Sequence, residues 1–235
     1  MTNSDGLHFK AFRDILREQG FNNGEDISEA FYKKACNSKA ACCHSSDLNV
    51  RCDPQEISGT STHAIFAKFL PDLDEKAYSR LSDDKEARFT KLAEKLEPMP
   101  GLKAFVTALD ARKIKTCVVT NAPRPSAEML LRVLKLDAHF GDRVVVGVEL
   151  PNPKPHPSPF LEGLKLLGVS ADAAIAFEDS PDGLRSAVAS GCATIGVRTS
   201  QTACTIEKLG AGATVKDFTD AGLWAACGLE KPAKM

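Results

Sequence analysis

Apolar residues along this chain recur with two different periods, and the change of period divides it. Over residues 7–19, LHFKAFRDILREQ, Phe9, Phe12, Ile15 and Leu16 fall at helical spacing, and Gly20 suits the stop. A second short helix is expected over 28–35. Residues 36–55 then break every pattern: small and polar residues, clustered cysteines, no period, and Pro54 near the end, which predicts a loop insertion. From 72 to 97 both charge signs are dense, yet Tyr78, Leu81, Phe89, Leu92 and Leu96 keep an apolar stripe. That combination predicts helix with a solvated outer face.

After Pro98 and Pro100 the texture changes. Residues 102–112 read as helix, KTCVVT (115–120) as a buried strand, and 125–135 as the next helix. RVVVGVE (143–149) is a second strand, followed by helix over 156–168. AAIAFED (173–179) reads as a strand ending in carboxylates, PDGLRSAVASG (181–191) as a helix closed by Gly191, and ATIGV (193–197) as a short strand. Strands and helices alternating at these lengths predict an α/β fold with a parallel sheet wound on both faces. The helical stretch 10–96 then reads as an insertion on that sheet, with 1–9 and 97–235 as the sheet-bearing core.

Composition adds limits. A hydrophobic share of 43%, a charged share of 26% and a formal charge of −1 are those of an ordinary globular chain, without global attraction to nucleic acid or anionic membrane. No apolar run approaches the roughly 18–20 residues that span a bilayer, and MTNSDGLHFK lacks the look of a signal peptide, so a cytoplasmic protein is expected. A monomer is expected as well. Eight cysteines would suggest disulfides in a small secreted chain, but the other secretory signs are missing. Cys117 and Cys192 lie in apolar stretches and read as buried thiols. The cluster Cys36, Cys42, Cys43 and Cys52, with His44, has metal-ligand chemistry but no CxxC spacing, so an irregular segment is favoured over a zinc site.

In such sheets ligands bind at the carboxyl ends of the strands. Thr120 and Asn121 offer a hydroxyl and an amide at one strand tip, Lys154 sits among prolines in PNPKPHP, and Glu178, Asp179 and Ser180 end another strand. Each has a plainer role available. Thr120 could cap the following helix, Lys154 could be a surface lysine, and the acidic pair could cap the helix near Pro181. Taken together, a hydroxyl, a fixed ammonium and a carboxylate pair at one sheet edge suit a phosphate with a divalent hard cation.

VVTNAPR, then NPKPHPSPF, then FEDSPDGLRSAVASG resemble, in order and spacing, motifs two, three and four of the haloacid-dehalogenase superfamily. The similarity is nearest to its small capped phosphatases and β-phosphoglucomutases, and runs from residue 1 to about 225 apart from the 36–55 insert. The resemblance implies a Rossmann-like core with an α-helical cap. It also implies Mg²⁺-dependent phosphoryl transfer from a small phosphorylated metabolite through an aspartyl-phosphate. By it, Asp179 would hold the metal with support from Glu178, Thr120 would hydrogen-bond a phosphate oxygen with Asn121 beside it, and Lys154 would neutralise charge. His8 would match the histidine of phosphoglucomutase-like members. Gly59 would supply a flexible turn in the cap, although Glu56-Ile57-Ser58-Gly59 is followed by Thr60, Ser61, Thr62 and His63 where relatives often carry a basic residue. No DxDGT string, the family's nucleophile motif, occurs in the 235 residues; Met1 would correspond to the residue just after it. The resemblance therefore implies that the first core strand and nucleophile are missing here and that the chain is inactive; Asp5, with no strand before it, is no substitute, and a catalytically dead phosphate-binding or interaction protein is the alternative.

Overall fold

The computed structural model describes residues 2, 4–31 and 62–232. Expectations for 36–55, for Gly59 and for the second half of 28–35 fall outside those residues. The chain divides into two compact units, one of Met1–Asn3 with Lys95–Met235, the other of Ser4–Glu94.

The second unit is helical in its described part: α1 (Asp5–Glu18), α2 (Thr62–Phe69) and α3 (Glu75–Ala93). Its core joins part of the stripes read from sequence to apolar residues of α2 that the sequence reading did not single out. Phe12, Ile15 and Leu16 of α1 pack with Ile65, Phe66 and Phe69 of α2 and Tyr78 of α3. Asp74 caps α3 by accepting from the Ala77 amide at 2.7 Å, which ties down one of the amides a helix start leaves unpaired. Arg88 clasps Glu18 through two bonds of 2.7 and 2.6 Å, joining α3 to α1.

The first unit holds the sheet. In chain order it contains α4 (Leu102–Ala111), β1 (Val118–Thr120), α5 (Arg124–Val133), α6 (Asp137–Phe140), β2 (Val144–Val146), α7 (Ser158–Leu167), β3 (Ile175–Glu178), α8 (Pro181–Ala189), β4 (Ala193–Val197), α9 (Ala203–Lys208), β5 (Ala213–Val215) and α10 (Ala221–Ala226). All pairings are parallel, as the alternation of strands and helices requires. They form two separate ladders, β1-β2 and β3-β4-β5, where the sequence suggested one sheet.

Successive side chains of each strand serve opposite layers. Val118, Val144, Val146, Val197 and Val215 pack with Leu102, Phe105 and Trp224, while Val119 and Ala176 pack with Phe160, Leu164 and Ala187. Both ladders thus share the same two helical layers.

Three differences from the sequence reading have physical causes. The strand expected at 115–120 begins only at Val118, whose amide donates to the Arg143 carbonyl at 2.9 Å, while the Thr116 carbonyl before it is taken by the Arg143 guanidinium at 3.0 Å instead of by a strand neighbour. The strand expected at 143–149 ends at Val146 and passes into a 3₁₀ turn, Gly147–Glu149, where Gly147 is crowded by Asn121 and Pro159. Strand β5 carries three residues, too few for a period to register. No helix among the described residues is long and apolar enough to cross a membrane.

Candidate functional site

The C-terminal ends of β1 and β3 carry the polar groups singled out from the sequence, and their partners define what each can do. Lys154 lies in the loop between β2 and α7 and is only 6% exposed, so it is not a surface lysine. Asn121, just past β1, holds its backbone: the Lys154 amide donates to Asn121 Oδ1 and Asn121 Nδ2 donates to the Lys154 carbonyl, both at 3.2 Å. Space for that carboxamide exists because residue 147 is glycine. A Cβ there would sit 2.2 Å from Asn121 Oδ1.

The Lys154 ammonium then reaches between the two ladders. It donates to the Val119 carbonyl of β1 at 2.8 Å and to Glu178 Oε1 of β3, with the Phe160 ring centroid 4.9 Å away. Burying such a pair is tolerable only when its remaining polar capacity is satisfied. That condition is met at Glu178. Its Oε2 accepts from the Asp179 amide at 3.0 Å, the Ser180 amide at 3.3 Å and the Ser180 hydroxyl at 3.1 Å. Burial alone would push the Glu178 carboxyl up, but the Lys154 ammonium and the surrounding N–H donors outweigh it and hold the carboxyl below its ordinary value. The approach of α8 again depends on a glycine: a Cβ on Gly183 would lie 2.1 Å from the Glu178 carboxylate.

Ser180, not the acidic pair, caps α8, accepting from the Gly183 amide at 3.1 Å. Serine before Pro181 at a helix start was a legible signal for that cap. Asp179 is half-buried, and its Oδ2 accepts from the Thr199 hydroxyl at 2.8 Å. Thr120 does not cap α5, whose N-cap residue is Pro123. Its oxygen instead accepts from the Ala122 amide at 3.0 Å, and a hydroxyl used as acceptor still has its proton to donate. On the same side of the sheet Arg124 and Glu149 form an exposed ion pair at 2.6 Å.

The donor set decides how a divalent cation would fit. Glu178 has its charge matched by Lys154 and its second oxygen surrounded by donors, so it serves as an anchor for the lysine and the turn. Asp179 is the second carboxylate at this strand end, held at Oδ2 by the Thr199 hydroxyl. A single carboxylate would leave most of an octahedral Mg²⁺ shell to water, which that ion tolerates. Among the described residues no group of three or more His, Cys, Asp or Glu side chains is gathered for a softer, fully protein-bound metal.

His8 belongs to the other unit. It stacks on Phe89 with ring centroids 3.9 Å apart and planes 6° from parallel. Burial, with the nearby charge of Lys85, pushes its pKa down to about 3, so it is neutral near pH 7. Sequence reasoning missed Thr199 and the Val119 carbonyl, because neither has a local signal and each acts through a neighbour in the fold.

Comparison with known proteins agrees with this geometry. Residues 25–197 match the profile of the family described as haloacid dehalogenase-like hydrolase. A phosphoglycolate phosphatase from Rhodospirillum rubrum is 38% identical over 125 residues, which is 53% of this chain and 52% of that protein. The chain thus spans about half the length of this curated relative. A haloacid dehalogenase hydrolase of family IA, variant 3, from Entamoeba histolytica shares the fold with a TM-score of 0.76 at 18% identity, covering 93% of this chain and 89% of that one. A β-phosphoglucomutase from Clostridium difficile superposes with a TM-score of 0.70 at 18% identity, over 93% of this chain and 86% of its own. With nearly three quarters of its length inside the family profile, this chain belongs to the haloacid dehalogenase-like hydrolases.

Proposed function

We propose that this chain forms the phosphate- and cation-handling part of a Mg²⁺-dependent phosphomonoester hydrolase or phosphomutase acting on a small phosphorylated metabolite. The observation that carries the reading is the buried Lys154 ammonium, held between the Val119 carbonyl and Glu178 at the strand ends. A fixed cation in a water-poor site stabilises phosphoryl charge far better than one that must reorganise. In this reading Thr120 donates its hydroxyl proton to a phosphate oxygen. Lys154 faces the phosphate, Asn121 keeps the lysine backbone in place, and Glu178 supports the metal site by anchoring the lysine and the β3–α8 turn. Asp179 takes the Mg²⁺, which supplies further neutralisation of phosphate oxygens when bound. By the family resemblance His8 and Gly59 are assigned to the substrate. A cytoplasmic monomer without nucleic-acid or membrane partners completes the proposal.

Hydrolysis through an aspartyl-phosphate also needs a carboxylate at liberty to attack phosphorus, and Glu178 is not one: its oxygens are already engaged. That observation favours a second reading for this chain, namely phosphate binding without turnover. The test pairs inorganic phosphate binding in excess Mg²⁺ with an assay on a generic phosphomonoester. The native chain is expected to bind phosphate without turnover, Lys154→Met and Asp179→Asn to bind it more weakly, and a chain extended at its start by a strand ending in DxDGT to turn over. Equal turnover by the native and extended chains, abolished in both by Asp5→Asn, would make Asp5 the nucleophile and overturn the assignment. Failure of the native chain to bind phosphate would remove both readings.

A further inference from the structure

We infer that Thr116 is a nucleophile for activated acyl esters, with His139 as its base and Asp110 as the residue that positions that base. The three lie in series. Asp110 Oδ2 meets His139 Nδ1 at 2.5 Å, and His139 Nε2 meets the Thr116 hydroxyl at 2.7 Å. A carboxylate only accepts, so Nδ1 carries the ring proton and Nε2 is left to accept from Thr116. Carboxylate, imidazole and hydroxyl in this order, each at hydrogen-bond distance, make a general-base relay. The inference does not rest on the phosphate reading. Thr116 precedes β1 whereas Thr120 ends it, so the relay sits at the opposite end of that strand.

The fold presents each member from a fixed place. Asp110 stands in the last turn of α4, where its carbonyl accepts from the Lys113 amide at 2.8 Å, and its side chain is exposed. His139 belongs to α6; its side chain is 9% exposed, with the ring edge-on to Phe140 at a centroid distance of 4.5 Å. That packing leaves the imidazole little freedom to swing away from Thr116, which is itself half-buried. Arg143 completes the group. Its guanidinium donates to the Thr116 carbonyl at 3.0 Å and to the His139 carbonyl, which fixes a cation beside both residues. A cation so held favours the negative oxygen that forms when an acyl carbon is attacked. In the reaction Thr116 Oγ1 bonds to the ester carbon as its proton passes to His139 Nε2. The bond to the leaving oxygen then breaks, and that oxygen takes the proton from Nε2. Water attacks the acyl-threonine in the same way, its proton passing to Nε2 and then to Thr116 Oγ1 as the acid departs.

p-Nitrophenyl acetate is the probe, added to the full chain, with nitrophenol release followed by absorbance and the acid-quenched adduct located by peptide mass mapping. The native chain should carry an acetyl group on Thr116, and the urea-unfolded chain none there. Thr116→Ser should keep the adduct, whereas Thr116→Val, which keeps the shape and removes the hydroxyl, should lose it. His139→Gln should slow acetylation about 100-fold or more, and Asp110→Asn by a smaller factor. The position of the native adduct decides the matter even where a variant fails to fold. No adduct on the native chain, or an acetyl group on a lysine or cysteine in place of Thr116, overturns the inference. So does acetylation of Thr116 that His139→Gln leaves unchanged. A lowered melting temperature in Thr116→Val, with no Thr116 adduct in the native chain, would reduce the three residues to a fastening of α6 against the start of β1.

Discussion

Asn121 grips the backbone of Lys154 at both of its polar groups, accepting from the amide and donating to the carbonyl at 3.2 Å each, across a separation of 33 residues. An amide side chain that imitates a strand partner in this way fixes the position of the lysine without touching its charge. Asn121→Asp would turn the donor that faces the Lys154 carbonyl into an acceptor. We expect it to cost about 1–3 kcal/mol in urea unfolding and to weaken phosphate binding, with Asn121→Ala losing less because it adds no repulsion. An Asn121→Asp variant as stable as native would show that the clamp is dispensable.

Gly147→Ala should act through the same clamp. Its added methyl group would meet Asn121 Oδ1 at 2.2 Å and also press on Pro159 Cγ at 3.2 Å. We expect the amide to be expelled, so that combining Gly147→Ala with Asn121→Ala costs clearly less than the sum of the two. A double-mutant cycle reads this directly; additive losses would mean the two residues act independently.

Lys154 and Glu178 should be strongly coupled. Removing one partner leaves an uncompensated buried charge, which costs about 3–5 kcal/mol. Lys154→Met and Glu178→Gln are each expected to approach that loss, and the double variant to lose less than either alone. Denaturant titration of the three variants decides the matter, since a double variant with the summed loss would contradict the pairing.

How much of this was legible in the residues themselves differs by scale. The five-residue strand β4 and the helix faces stood out because burial imposes a period. Lys154 stood out because prolines flank it. The Asn121 clamp and the Thr199 contact left no such trace, since both depend on which loops the sheet brings together. Asn121 offered an amide at a strand tip, and nothing in its local sequence told that both ends of that amide meet the Lys154 backbone. The extended reading of 147–149 failed for a related reason. Gly147 has no side chain to enter the apolar count, and the carboxamide beside it occupies the room a side chain would need.

His8 gives the helical unit a built-in acid sensitivity. Its folded-state pKa, about 3, lies below the ordinary value of 6.5, because burial and Lys85 both disfavour the charged ring. A lowered pKa means the unfolded chain takes up the proton first. The neutral ring's contribution is therefore fully present above pH 6.5 and is lost as pH falls towards 3. One proton allows a slope of at most about 1.4 kcal/mol per pH unit. His8→Gln should flatten the stability profile in that window, as chemical unfolding at several pH values would record. An unchanged slope would mean that His8 does not carry the effect.

The separation of the sheet into β1-β2 and β3-β4-β5 also bears on how the first unit opens. Among the described residues no ladder of backbone bonds joins the two. They are held instead by common helical layers and by one lysine that reaches from a carbonyl of β1 to a carboxylate of β3. Side-chain packing loosens more gradually than a ladder, so each group of strands has the means to exchange its amide hydrogens as a unit of its own. Native-state exchange should then sort the amides of β1-β2 and of β3-β4-β5 into two classes of opening free energy. Loss of Lys154 should widen the difference between them, which would make this single side chain the measure of the sheet's cooperativity.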